Sequence, residues 1–413
     1  MTNITTPADE NLSNLELSLD KYFTQLGSSK RTCVKCNREY YTFQKEDFCG
    51  SSKCLTPIPF IEKLNSKPNR TSHIYLGERF SDFFSKQGYN IIQSENINNS
   101  ATTLFIGAGI QTTEIILERG VIPTNPICLV QPCVRVHAIG SDKTLKGYSS
   151  GFHVATTQRV NATIDEFVKD IDTWLKYLAD IKFPYSHMNF FFGTDWTGGK
   201  MKGVYIAAYL GKTQLCDFVY VNKMPDEAKI KTISDMSLGL ERLSWMKIKT
   251  ESYFQAFCPI IYLRDFTDVQ LDILRTLTLL ASSGVVPSNK SRGYKVEEGV
   301  VTTKRGSGQV LKQLAQLYSN EKGSNRINDL VQTFYEEWSN FGKISISLAD
   351  TQKIIQSEIN KAYNLQTIKK FKFDPKKFQT ELELDAFIDQ IIQKTQIPFN
   401  EIVRVLKNDN LLR

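Results

Sequence analysis

Two pairs of cysteines, Cys33-Val-Lys-Cys36 and Cys49-Gly-Ser-Ser-Lys-Cys54, are separated by twelve residues that include Tyr40, Tyr41 and Phe43. Each pair sits in a turn-like setting and an aromatic strand lies between them. The spacing offers four thiolates, Cys33, Cys36, Cys49 and Cys54, to a tetrahedral ion, for which zinc is the natural occupant. Four protein ligands leave no open position, so the expected role is structural.

A second chemistry is carried by two arginines. The run 127–136 is apolar, β-branched and bracketed by Pro126 and Pro132, the pattern of a buried strand, and it carries Arg135 as its one outward functional group. Downstream, 235–246 opens like a strand and passes through Gly239 into a helix, which places Arg242 one turn in. A planar guanidinium can fork onto phosphate oxygens that a lysine meets only as a point charge. Two arginines closing on one polyphosphate would make a nucleotide site.

The segments Ile122-Pro-Thr-Asn-Pro126, Gln131-Pro-Cys-Val-Arg135, Trp196-Thr-Gly-Gly199 and Ser234-Asp-Met-Ser-Leu-Gly-Leu-Glu-Arg242, with Trp245, occur in that order. Together they resemble the class II catalytic core of alanyl-tRNA synthetase in its archaeal form. The resemblance implies an antiparallel sheet flanked by helices (class α+β), an N-terminal cysteine cluster, and a helical domain toward the C-terminus. It further implies ATP, Mg2+ and an amino acid as the small molecules bound, with a carboxylate attacking the α-phosphate. Arg135 then matches the arginine of the second class motif and Arg242 that of the third. Asp235 matches the aspartate that holds the substrate amino group, although a carboxylate ahead of a glycine turn equally fits a helix cap. Trp196 and Asn222 are expected to line the same pocket. Ser237 stands where the family has glycine beside the amino-acid side chain, which would shift the preference within small amino acids.

The departures from that pattern are also informative. Phe152-His-Val-Ala-Thr-Thr-Gln-Arg159 keeps His153, expected at ATP, but has Phe152 for an arginine and Gln158 for a glutamate. An amide at Gln158 can bond an adenine or ribose edge, yet it cannot help hold Mg2+. Ala207 and Thr213 replace two further family glutamates. After Arg292-Gly-Tyr294, where the family continues with arginines against the tRNA acceptor stem, this chain has Glu297 and Glu298. Those carboxylates would repel phosphate, so tRNA is disfavoured as a partner. The stretch 368–378 interleaves bases and aromatics, as single-strand binders and ordinary lysine-rich connectors both do. His73, His137 and His187 are isolated in the sequence.

With 413 residues, 41% of them hydrophobic, the chain is long enough for two or three domains. The expected division is a cysteine segment over 1–70, a catalytic domain over 71–265 and a helical domain over 266–413. The net charge of +7 is mild for this length and does not by itself call for nucleic acid. No apolar run would span a bilayer, and the N-terminus lacks the basic head and apolar body of an export signal, so the expected location is cytoplasmic. Eight cysteines in that compartment stay reduced. Family editing and oligomerisation segments have no counterpart here. The expected function is an adenylate-forming ligase that activates alanine or a similar small amino acid and passes it to a small molecule or protein amine. The alternatives are a shortened alanine–tRNA ligase and a catalytically silent paralogue that binds or joins a complex.

Overall fold

In the computed structural model the described residues are 7–51, 54, 72–100, 102–135, 147–211, 213–225, 228–250, 252–288, 306–319, 326–371 and 381–408. His137, Glu297, Glu298, the Arg292-Gly-Tyr294 segment and 372–378 lie outside them. The chain divides into two compact units, Met1–Asp272 with Glu336–Ile344, and Ile273–Tyr335 with Ser345–Arg413.

The first unit is built on nine strands: β1 (Ser29–Thr32), β2 (Glu39–Thr42), β3 (Asn90–Ile91), β4 (Ile127–Val134), β5 (Gly151–Val160), β6 (Met188–Gly198), β7 (Met201–Leu210), β8 (Thr213–Lys223) and β9 (Ile233–Gly239). They form one sheet in the order β1-β2-β6-β7-β8-β9-β5-β4-β3. Every pairing is antiparallel except the short β3 beside β4. This is the antiparallel sheet expected from the resemblance. All eight residues of β4 are buried, as its apolar run, interrupted only by Gln131, required. The strands that bracket the first cysteine pair, β1 and β2, extend the same sheet.

Helices α1 (Pro7–Gln25), α2 (His73–Lys86), α3 (Ile110–Glu118), α4 (Ile164–Asp180) and α5 (Leu240–Ile248) belong to this unit. Side chains alternate across a strand, so the sheet has two chemically distinct faces. One face is aromatic. There Trp174 of α4 donates Nε1–H to Thr157 Oγ1 at 2.8 Å and packs with Phe80, Phe84 and Tyr177. Phe23 of α1 stacks on Tyr41 with centroids 4.4 Å apart. The start of α4 is set by a capping box between Thr163 and Glu166, which satisfies two otherwise orphaned amide donors.

Two local expectations need correction. Thr103–Gly109 reads as a strand but is a bent loop, in which Thr103 Oγ1 donates to the Phe105 carbonyl and Gln111 Oε1 accepts from Gly107 and Ala108 N–H. Side chains there take the backbone partners that a sheet neighbour would supply. Residues 1–12 are polar and read as unstructured, yet α1 begins at Pro7, a residue favoured in the first helical turn.

Helix α6 (Asp268–Ser282) runs across the boundary between the units, as does α8 (Ile327–Ser339). The second unit adds α7 (Ser307–Ser319), α9 (Leu348–Lys369), α10 (Glu381–Thr395) and α11 (Phe399–Asn408). The periodicity from residue 383 onward reads as one helical segment, but Pro398 divides it into the last two helices, since proline cannot continue a helix ladder. Their core is Ile368, Ile388, Ile391, Ile397, Ile402, Val405 and Leu406, with Phe371 packed against it. Ile368 and Phe371, the described apolar members of the lysine-rich stretch, are thus core residues. Among the described residues no helix is long and apolar enough to cross a membrane.

Trp174 fills the aromatic face of the sheet without exposure. Its replacement by Ala is expected to destabilise the first unit by about 3–5 kcal/mol, the usual cost of deleting a buried aromatic. Urea titration followed by circular dichroism would read this as a lower midpoint for that unit's transition.

Candidate active site

The opposite face of the sheet is polar. Register places Gln158 and Val219 beside Asp235, and Thr156 and Asp217 beside Ser237, so these side chains share one surface. Asp235 is 5% exposed, and its Oδ1 accepts from Gln158 Nε2 at 3.0 Å and Thr156 Oγ1 at 3.3 Å. Burial nonetheless raises its pKa to about 6, with those two hydrogen bonds pulling the other way. Gln158 in turn donates to Thr156 at 2.8 Å and accepts from Thr113 of α3 at 2.7 Å. The amide expected against ATP is therefore directed at Asp235. A glutamate in its place would set two buried carboxylates against each other.

Asp217 was not singled out in the sequence. It stands on β8 directly across from Ser237 on one side and Ala207 on the other. Burial raises its pKa to about 7 against the pull of Arg135, a hydrogen bond from Gln214, and the pull of Arg242, while Asp235 adds to the rise. Both guanidiniums thus act on the same carboxylate. Glu114 of α3 is likewise pushed up to about 7 by burial, with Glu118 and Asp235 adding to it and a hydrogen bond from Thr102 opposing. Neither acid shows in the sequence pattern, because β8 and α3 read simply as amphipathic elements.

The arginines are held by backbone carbonyls. Arg135 follows the last residue of β4, where it is exposed; Nε donates to the Gly107 carbonyl at 2.9 Å and the guanidinium lies 4.9 Å over the Phe152 ring. Gln111 shapes that loop by capping two of its N–H groups. Arg242 is half-buried on α5, donating Nε to Gly147 O at 2.9 Å and Nη1 to Gln214 O at 2.6 Å, with Tyr148 4.4 Å beneath. Each leaves part of its fork for an anion. Carbonyl anchoring orients a guanidinium without neutralising it, which prepares it for phosphate.

Trp196 packs beside Ile110, Met201, Val219 and Ile233 on the same face, so it borders the site through apolar contact. Asn222 lies in a bulge of β8, three residues past Val219, which faces Asp235. At about 3.4 Å per residue it is about 10 Å along the strand from that carboxylate. His153 is on the reverse face, fully buried, with Nδ1 2.8 Å from Glu241 and its ring 4.5 Å from Trp338. Alternation decides this: Phe152, Val154, Thr156 and Gln158 share the polar face, and His153 cannot join them.

The four cysteines form a separate centre. Their sulfurs lie within 4.8 Å of one another, and Cys36 Sγ is 3.8 Å from Cys49 Sγ. Tetrahedral zinc with bonds of about 2.3 Å requires sulfurs about 3.8 Å apart, so the residues fit that ion. Within the cluster burial pushes the Cys49 and Cys54 thiols up, whereas at Cys33 burial is outweighed by the N–H groups of Cys49, Lys35 and Cys36, which bring it down to about 6, so of these three only Cys33 is shifted toward the thiolate a metal takes. Asn37, at φ 55°, and Gly50, at φ 89°, turn the backbone after each pair's first or second thiol. At Gly50 an added Cβ would stand 2.8 Å from that of Tyr209, so the turn tolerates only glycine.

Two measurements follow from these sites. Cys49→Ser is expected to lose about one equivalent of bound zinc by elemental analysis; unchanged metal content would refute the four-thiolate centre. For Asp217, a folded pKa of about 7 against the ordinary 3.8 of an exposed aspartate means that the folded chain holds a proton the unfolded chain has released. Stability therefore falls as pH rises from about 4 toward 7 and levels off beyond. Asp217→Asn should flatten that decline in denaturation midpoints measured across the interval.

No protein-family model matches the chain. Among curated proteins it is similar to an alanine–tRNA ligase of Methanobrevibacter smithii, with 25% identity over 268 residues, 60% of this chain and 29% of that protein. An alanine–tRNA ligase of Methanoculleus marisnigri is 24% identical over 294 residues, 63% of this chain and 30% of the relative. That of Sulfurisphaera tokodaii is 23% identical over 308 residues, 69% of this chain and 33% of the relative. The chain thus spans about a third of the length of the curated relatives it matches. Among solved structures, a pyrrolysyl-tRNA synthetase of Desulfitobacterium hafniense is 13% identical, covers 48% of this chain and 76% of its own, and has a TM-score of 0.37. Along the stretch those alignments cover, the chain is similar to the alanine–tRNA ligases at 23–25% identity.

Proposed function

We propose that the polar face of the sheet binds ATP and a small amino acid and joins them as an aminoacyl adenylate, which then passes its acyl group, with release of AMP, to an acceptor other than tRNA, a small molecule or a protein amine. The observation that carries this reading is the pair of carbonyl-anchored guanidiniums, Arg135 and Arg242, acting on one carboxylate, Asp217, beside the buried Asp235. Arg135 and Arg242 would take the phosphates. The carboxylate oxygen of the amino acid would attack the α-phosphorus, and pyrophosphate would leave. Charge that accumulates on phosphorus is met by groups already in place, so little reorganisation is needed during reaction.

Asp235, held by Gln158 and Thr156, is suited to receive the substrate ammonium group, whose charge would lower the carboxylate pKa on binding. Ser237 borders it with a hydroxyl where relatives use glycine, which favours a small or polar side chain. Asp217 stands across the strand from Ala207, so the carboxylate missing at 207 is replaced on the neighbouring strand. With substrate phosphates, Asp217 would hold Mg2+, an ion commonly bound through one or two carboxylates. That ion, when bound, would neutralise phosphate charge.

The test is amino-acid-dependent exchange of pyrophosphate into ATP, run across small amino acids with and without tRNA. Exchange with alanine, serine or glycine that tRNA does not stimulate is expected. Arg242→Ala should weaken ATP binding in calorimetry by about 10- to 100-fold, the effect of one charge-assisted contact, while the circular dichroism spectrum is unchanged. Absence of ATP binding by the wild-type protein would overturn the reading; tight, salt-sensitive binding of alanine tRNA would redirect it to tRNA aminoacylation.

A further inference from the structure

The reverse face of the sheet carries a second cluster of ligating side chains. His73 opens α2, His153 lies on β5, Glu241 on α5 and Glu337 on α8, and one donor atom from each lies within 4.8 Å of the other three. Isolated in the sequence, His73 is brought by the fold to within 5.5 Å of His153, centroid to centroid. The site is dry: side-chain exposures are 3% for His73, 8% for Glu337 and 0% for both His153 and Glu241. His73 Nε2 is 3.0 Å from Glu337 Oε1, and His153 Nδ1 is 2.8 Å from Glu241 Oε1. The Glu241 carboxylate also accepts the backbone N–H of His153, at 3.0 Å to each oxygen. His73 Nδ1 is buried with no hydrogen-bond partner among the described residues.

We propose that His73, His153, Glu241 and Glu337 bind a divalent transition-metal ion, zinc in the first instance. Two imidazole nitrogens and two carboxylate oxygens are a donor set that suits this borderline ion. Two carboxylates with two neutral imidazoles match the charge of a divalent ion. Bonds of about 2.0–2.2 Å in a tetrahedron need donors about 3.3 Å apart, and small side-chain rotations reach that from the spacing present. The nitrogens that face the glutamates, His73 Nε2 and His153 Nδ1, and one oxygen of each carboxylate would be the ligands, so the ion would take the place of the proton in each of these close contacts.

The ion would be structural, since protein ligands close it. It would also tie β5 to α5 at a sensitive place. His153 lies between Phe152 and Val154 of the polar face, and Glu241 directly precedes Arg242. Strand and helix would thus be pinned where they carry the guanidinium site.

The experiment is a zinc count on the full chain, before and after thiol-bound metal is released with an organomercurial and removed by gel filtration. The wild type is expected to hold about two equivalents and to retain about one after thiol blocking. His73→Gln and Glu337→Gln should lose that thiol-resistant equivalent, and Cys49→Ser should keep it. With cobalt in place of zinc, the thiol-resistant site should show visible ligand-field bands without thiolate charge-transfer absorption. A wild type with no thiol-resistant metal after dialysis against zinc or cobalt overturns the proposal, whatever the variants do. A thiol-resistant equivalent that survives in both folded variants overturns it as well.

Discussion

Asp235 is a carboxylate on the inner strands of a sheet, 5% exposed, and a desolvated charge of this kind persists only where its lone pairs are met. Gln158 and Thr156 meet them from β5, and Thr113 of α3 holds Gln158 in turn. The first residue ahead of α3, Gly109, packs so closely on Thr156 that a Cβ there would fall 2.5 Å from its hydroxyl. Two residues further, Gln111 shapes the loop whose Gly107 carbonyl receives Arg135. A continuous line of contacts therefore runs from the buried acid to the exposed guanidinium. Displacing any member would leave a buried polar group without its partner, which is why these elements act as one unit.

The same alternation that gathers the acids on one face removes other candidates to the reverse. On the polar face, burial lifts Asp217, Asp235 and Glu114 toward neutrality in a region reached by two arginines. On the other, Trp174, Phe80, Phe84 and Tyr177 fill the space under the helices, and His153 and Glu241 are enclosed with His73 and Glu337. Groups with pKa values displaced toward working pH tend to mark functional sites, because the field that displaces them is the one a charged substrate meets.

Seen in this way, the departures from the alanine–tRNA ligase pattern are mutually compensating. Phe152 in place of arginine removes one cation but gives Arg135 an aromatic surface at 4.9 Å. Gln158 in place of glutamate removes a charge and supplies a donor to Asp235. Ala207 removes a carboxylate that Asp217 restores from the next strand. Each change conserves a local balance of donors and charge even as it alters which residue carries it.

Much of the architecture was legible because it rests on local periodicity. The largely apolar run of β4, the strand turning at Gly239 into α5, the 3.6-residue spacing of α4 and α9, and the paired cysteines each encode their own element, with no need of a distant partner. The guanidiniums of Arg135 and Arg242 could be named for the same reason, since they stand at element ends. Tertiary structure alone decided which face each strand residue takes relative to the others, and hence that His153 leaves the polar site while Asp217, unremarked on an amphipathic strand, enters it. It also decided that His73 and His153, 80 positions apart in the chain, share one buried cluster with two glutamates. The physical reason is that register and burial are set by pairing across the sheet. A residue's neighbours there, and the desolvation that tunes its acidity, come from strands distant in sequence.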